Sequence, residues 1–119
     1  MGTPAYMPPE QFIDVTACDE RSDIYSFGIV LYQMASNGSL PFRAESSHHY
    51  WQTLKYLHSE GKVPDLDSIL FPLIAQCLAK DKVDRYKSFY DLRIDLEKIL
   101  LQLTGKKFVP EVGTEMGSS

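Results

Sequence analysis

The sequence predicts an all-α fold of four main helices and one short one, on three observations. A long apolar segment runs from Ser22 to Ser36 between polar ends, the stretch after Ser88 carries one apolar stripe at helical spacing, and no alternating strand pattern is persuasive anywhere. The chain has 119 residues, 44% hydrophobic and 24% charged, which is the size and make-up of a single soluble domain.

Taken in order, Pro8-Pro9-Glu10-Gln11-Phe12 predicts a short first helix, because proline is tolerated where helix N–H groups lack partners anyway. The segment Ser22 to Ser36 predicts the central helix, stopped by Asn37-Gly38. Its Ile24, Tyr25, Phe27, Ile29, Val30, Leu31, Tyr32 and Met34 point in nearly every direction, which predicts burial all round. A buried strand is the rival reading for β-branched Ile29 and Val30, and the length between polar ends favours helix. After a loop at Ser39-Leu40-Pro41-Phe42, a third main segment spans Ser46 to Ser59, with Tyr50, Leu54 and Leu57 at helical spacing and a stop near Gly61. Asp67 is the expected cap of a helix over Ile69 to Ala79. Ser88 followed by Asp91 resembles a capping box for the last helix, whose stripe is Phe89, Leu92, Leu96, Ile99, Leu100 and Leu103. From Thr104 on the periodicity stops, so residues 104–119 read as a linker or disordered tail.

Composition narrows the function classes. A formal net charge of −4 argues against a nucleic-acid surface and against general attraction to anionic membranes. No run approaches the ~18 apolar residues of a membrane-spanning helix. The N-terminus has neither the basic start nor the hydrophobic stretch of a secretory signal, so the expectation is a cytoplasmic protein whose two cysteines, Cys18 and Cys77, are reduced thiols. His48 and His49 are adjacent, so on a helix they point about 100° apart and cannot chelate together. His58 is too remote to complete a site, and all three histidines read as surface residues. Carboxylate pairs such as Asp19-Glu20 read as solvated loop charges. No serine-nucleophile elbow, Cys-x-x-Cys pair or zinc-protease motif is present.

Three pieces in order carry more. Gly2-Thr3-Pro4-Ala5-Tyr6-Met7-Pro8-Pro9-Glu10 comes first, Asp23-Ile24-Tyr25-Ser26-Phe27-Gly28 second and Arg85 last, with Leu40-Pro41-Phe42 after the second. With these the chain closely resembles the eukaryotic-type serine/threonine protein kinases, and bacterial ones in particular, from the end of the activation segment to the last helix of the large lobe. The resemblance covers about residues 2–103, and it implies that residues 1–103 are a partial kinase domain with the N-lobe and catalytic loop absent. Glu10 matches the glutamate of the Ala-Pro-Glu motif, with Pro8 in place of the alanine. The resemblance implies that Glu10 makes a buried ion pair with Arg85, a role suited to a planar, always-charged guanidinium. It implies that Asp23 anchors the catalytic loop, although an Asp near a helix start also reads as a plain cap. It implies that Thr3 bonds the catalytic groups beside a substrate serine, that Tyr6 and Met7 shape the shelf for a substrate peptide, and that Phe27 and Gly28 are packing positions.

Phosphoryl transfer needs a Gly-rich loop over the nucleotide, a strand lysine, a catalytic-loop aspartate and metal-binding Asp and Asn. The sequence has no Gly-x-Gly-x-x-Gly, no Val-Ala-x-Lys, no His-Arg-Asp and no Asp-Phe-Gly. The expectation is therefore no catalytic residue and no cofactor or metal site in this chain, with ATP and Mg implied only for an intact parent kinase. Met1 reads as an internal methionine or the edge of a fragment, and a gene interrupted before this point fits equally well. Expected partners are a protein substrate or the missing kinase half, with no nucleic acid and no membrane. Alone, the chain is expected to be a marginal or aggregating monomer, since apolar side chains of the central helix would face water. The alternative is a non-catalytic, kinase-derived interaction module, docking through Tyr50, Trp51 and Tyr56; a helical scaffold unrelated to kinases is a third reading, which the ordered motifs disfavour.

Overall fold

The computed structural model describes residues 4–45 and 48–105. Among them lie five helices and no strand: α1 (Pro9–Ile13), α2 (Glu20–Ala35), α3 (Tyr50–Glu60), α4 (Phe71–Cys77) and α5 (Phe89–Thr104). Short 3₁₀ turns at Pro4–Tyr6, Val15–Ala17 and Lys82–Asp84 join them. The all-α expectation of four main helices and one short one holds. No helix among the described residues is long and apolar enough to cross a membrane.

α2 organises the rest. It starts before Ser22, because Asp19 caps it: the Asp19 carboxylate accepts from the Arg21 N–H at 2.9 Å, while Ser22 Oγ accepts from the Asp19 N–H at 3.1 Å. This reciprocal box satisfies two donors that the helix cannot pair internally. Asp23 therefore lies a turn inside the helix, exposed, and the plain-cap reading of it is corrected. The far end stops as expected, with Asn37 at φ 60° and Gly38 at φ 100°. The Gly38 N–H reaches back to Gln33 O at 2.7 Å, closing the left-handed turn.

Ile24, Tyr25, Ile29, Leu31 and Tyr32 of α2 join Leu73, Ile74, Cys77 and Leu78 of the α4 region, with Tyr86 and Leu92, in the main core. Each aliphatic side chain so buried contributes about 1.5–3 kcal/mol. Burial is not all round, however: Val30 and Met34 are 39% and 72% exposed. They share a helix face with Asp23 and Phe27 at positions i, i+4, i+7 and i+11, and none of the described residues covers that face fully. A second, smaller core gathers Met7, Phe12, Phe42 and Leu54 under α1 and α3.

The other helices are shorter than expected. α3 is seen from Tyr50; the expected start at Ser46 falls at residues 46 and 47, outside the described residues, and His48 and His49 form a turn. α4 runs from Phe71 to Cys77, not Ile69 to Ala79, and Asp67 does not cap it. Ser68 does the nearest equivalent work, its Oγ accepting from the Leu70 N–H at 3.1 Å, and Pro72 sits where its missing N–H costs nothing. Ser88 caps α5 through the Asp91 N–H at 3.2 Å, as expected. Of the α5 stripe, Leu92 is buried and Leu96 and Ile99 are partly so, while Leu103 projects beyond the core at 59% exposure. Thr104, expected in the tail, is instead the last residue of α5, and residues 106–119 of the expected tail lie outside the described residues.

At Gly28, α2 lies close against the end of α4. A Cβ there would stand 2.6 Å from Cys77 Cβ, which is fixed to its backbone, and 2.9 Å from the Leu78 Cδ2 methyl. Gly28→Ala is expected to destabilise the fold by roughly 1–3 kcal/mol, read as a lowered midpoint in urea unfolding followed by circular dichroism. An unchanged midpoint would mean that the two helices can part without cost.

Candidate functional site

Arg85 follows the 3₁₀ turn at Lys82–Asp84, and its side chain is 0% exposed. Burying a guanidinium is costly unless every donor finds a partner. Here Nη1 donates to Glu10 Oε2 at 2.8 Å and Nη2 to Glu10 Oε1 at 2.9 Å, a bidentate pair. The remaining N–H groups donate to backbone carbonyls: Nε to Ala79 at 2.7 Å, Nη1 to Arg21 at 3.1 Å and Nη2 to Lys80 at 3.2 Å. The guanidinium also lies 4.8 Å from the centre of the Tyr25 ring, within cation–π range. Glu10, the second residue of α1, takes one further bond, from Ser22 Oγ at 2.5 Å. Burial alone would push the Glu10 carboxyl up, but the hydrogen bonds from Arg85 and Ser22 outweigh it and hold it below its ordinary range.

An open cleft of about 380 Å³ is lined by Tyr6, Met7, Gln11, Val15, Cys18, Asp23 and Ser26. It brings together three residues singled out in the sequence: Tyr6, Met7 and Asp23. The segment bearing Tyr6 is held to α2 twice, Ser26 Oγ donating to Tyr6 O at 2.7 Å and Tyr6 Oη donating to Gln33 Oε1 at 2.8 Å. Met7 is only 5% exposed and packs into the smaller core, so its side chain supports the cleft from beneath. Thr3 lies outside the described residues.

His58 departs most from expectation. It is 0% exposed, not a surface residue, and Nδ1 lies 2.8 Å from Tyr25 Oη. The helical spacing from buried Leu54 to His58 was the available signal for it. Ser22, Ser26 and Gln33, which tie the cleft segment and Glu10 to α2, had no signal in the sequence, since hydroxyl and amide partners far along the chain follow no local pattern. His48 and His49 are exposed, as expected. Both cysteines are free; burial pushes the Cys77 thiol up to about 12, so it stays protonated and inert at neutral pH.

The sequence profile described as protein tyrosine and serine/threonine kinase matches residues 2–96. The serine/threonine-protein kinase PknL of Mycobacterium tuberculosis is 31% identical over an aligned length of 115, covering 91% of this chain and 27% of that kinase. A probable serine/threonine-protein kinase of Clostridium perfringens is 36% identical over 104 residues, covering 83% of this chain and 15% of its own length. The kinase PknD of Chlamydia abortus is 33% identical over 102 residues, 84% of this chain and 11% of that protein. The chain thus spans between 11% and 27% of the length of these relatives.

Removing Arg85 would leave the Glu10 carboxylate poorly compensated, so Arg85→Met is expected to cost ~3–5 kcal/mol in chemical denaturation. The pH dependence follows from the sign of the Glu10 shift. A carboxyl held below its ordinary value near 4.5 gives stability that is fully present above that value and lost as pH falls through the lower, folded one. Urea midpoints measured from pH 6 downward should therefore fall on the acid side, and Glu10→Gln should flatten that limb. An unchanged acid limb in the variant would contradict the pairing.

Proposed function

This chain belongs to the protein tyrosine and serine/threonine kinase family, and from that premise we propose that it is the substrate-side part of the large lobe of a serine/threonine protein kinase, not catalytic by itself. The observation that carries the reading is the bidentate Glu10–Arg85 pair beneath α2, at the positions that the kinase motifs assign to it. In the parent activity a serine or threonine hydroxyl of a protein accepts the terminal phosphoryl group of ATP. That chemistry is almost wholly positioning and electrostatic stabilisation of charge on the transferred group.

The lining of this cleft does not fit a magnesium nucleotide. The cleft offers one carboxylate, Asp23, and no cation to meet phosphate oxygens. Among the described residues no cluster of three or more His, Cys, Asp or Glu could hold a metal ion. What these residues can do is hold a shelf. Ser26 and Gln33 fix the backbone and ring of Tyr6, Met7 fills the space below, and Asp23 stands exposed at the rim as an acceptor for backbone N–H groups of a neighbouring segment. The partners that fit are a protein substrate and the rest of a kinase domain, in a cytoplasmic setting; the net charge of −4 disfavours nucleic acid and anionic membrane.

The second reading, a kinase-derived interaction module, is favoured by Trp51 and Tyr56, which are 47% and 64% exposed on α3.

Incubated alone with Mg-ATP and a serine- and threonine-containing acceptor protein, the chain is expected to transfer no label above buffer. Substituted for the matched segment of PknL, it is expected to support labelling. Transfer by the isolated chain would overturn its catalytic incompetence. A chimera that melts cooperatively yet labels nothing would overturn the kinase assignment in favour of the interaction module.

A further inference from the structure

The apolar stripe of α5 outruns the core that it packs against. Leu92 is buried, and Leu96 and Ile99 lie partly buried against the main core. Leu103 falls one turn beyond Ile99 on the same face and is 59% exposed. α4, across from this stripe, is only seven residues long. Ile99 stands with Pro72, Leu73 and Tyr86 at an open cleft of about 220 Å³ between the two helices. α5 therefore presents an exposed apolar end beside an open cleft.

We propose that the segment 106–110 folds back over the end of α5 and seats the Phe108 ring on Ile99 and Leu103, at the mouth of this cleft. The chain leaves the helix in a way that allows it. Gly105 has a left-handed backbone, φ 70°, and its N–H closes on Leu101 O at 2.8 Å. That cap ends the helix and turns the chain off its axis. Ile99 lies six residues before Gly105, about 9 Å back along the axis. Three extended residues carry the chain from Gly105 to Phe108, a reach of up to about 10 Å. Phe108 and Val109 are the first apolar residues after Leu103.

Charge and tether both favour this occupant. The last turn of α5 carries no basic residue, and the carbonyls at a helix end attract cations. Lys106 and Lys107 supply two when the segment stays close to that end. Pro110 has a fixed φ, so fewer conformations are lost when the segment orders. A second copy of the chain is a poorer match. Separate chains need roughly 800 Å² from each partner to hold together, and one leucine beside a small cleft falls well short. A segment joined directly to the helix is already at high effective concentration, so a small patch can hold it.

Seated there, the Phe108 ring restrains the last turn of α5, because a helix end with nothing packed on it frays readily. The start of the segment after α5 is then a built part of the fold, in place of a linker or disordered tail throughout. This docking does not rest on the kinase reading.

Hydrogen exchange on the whole 119-residue chain tests this. Protection of the Gln102, Leu103 and Thr104 amides is expected to fall about three- to tenfold in Phe108→Ser, the equivalent of half-burying one aromatic side chain. Amides of Ile29 and Ile74 in the main core should keep their protection in that variant. Val112→Ser lies beyond the segment and should leave the end of α5 unchanged. Nuclear Overhauser contacts from the Phe108 ring to the Ile99 and Leu103 methyl groups are expected in the unmodified chain. Unchanged protection in Phe108→Ser, as a disordered tail gives, would overturn the proposal, and so would absence of those contacts. A loss shared by the core amides, or an equal loss in Val112→Ser, would overturn it as well. Protection at the end of α5 that rises with protein concentration would assign the stripe to a second copy instead.

Discussion

The rest of the structure depends on one buried guanidinium. Arg85 carries five N–H donors into a buried site, and the fold satisfies them with a carboxylate from α1 and backbone carbonyls from α2 and from the loop after α4. No other side chain could do this. A lysine has three donors on a flexible stem and readily gives up its proton when buried, whereas the guanidinium is planar and permanently charged. The arrangement makes each part conditional on the others: Glu10 is oriented by Ser22, Ser22 belongs to the capping box with Asp19, and that box sets where α2 begins. Such a pair adds little net stability over a well-packed apolar replacement, and its value lies in fixing which segments meet.

The cleft inherits its geometry from that arrangement. α2 is locked from below by its close contact with α4 at Gly28 and at its start by the Asp19 cap, so Ser26 and Gln33 are presented in fixed positions on its upper side. The segment at Pro4–Tyr6 has no regular structure of its own beyond one 3₁₀ turn, and it is held by these side chains and by Met7 packing into the smaller core. A loop held by a few directed bonds on a rigid scaffold is the usual way that proteins build recognition surfaces. Asp23, Val30 and Met34 on one face of α2 are exposed, while Phe27 between them packs at the edge of the main core and meets Phe89 edge-on at 5.8 Å.

The parts of this account legible in the sequence are those governed by local chemistry. Asn37-Gly38 had to end a helix because of their left-handed backbone, and Ser88 had to begin one because its hydroxyl reaches the Asp91 N–H. Competition among equivalent residues obscured other ends. Asp19 and Asp23 are both able caps, and the reciprocal bond from Ser22 decides for Asp19; Asp67 and Ser68 compete in the same way before α4. The meeting of Glu10 with Arg85 could not come from spacing, and only the resemblance to kinases pointed to it. The burial of His58 was hidden by its type, since histidines at helix ends ordinarily face water; its register with Leu54 was the one clue. The helix pattern alone read Val30 and Met34 as covered; their exposure agrees instead with the expectation, drawn from the kinase resemblance, that apolar side chains of the central helix face water.

The coupling between Glu10 and Arg85 is the most direct measure of the central claim. A double-mutant cycle with Glu10→Gln and Arg85→Met, read by urea unfolding, isolates the interaction from the effects of each substitution alone. The account predicts that the double variant is more stable than the sum of the single losses by about 1–3 kcal/mol. Additivity of the two losses would mean that the carboxylate and the guanidinium do not depend on one another, contrary to the account.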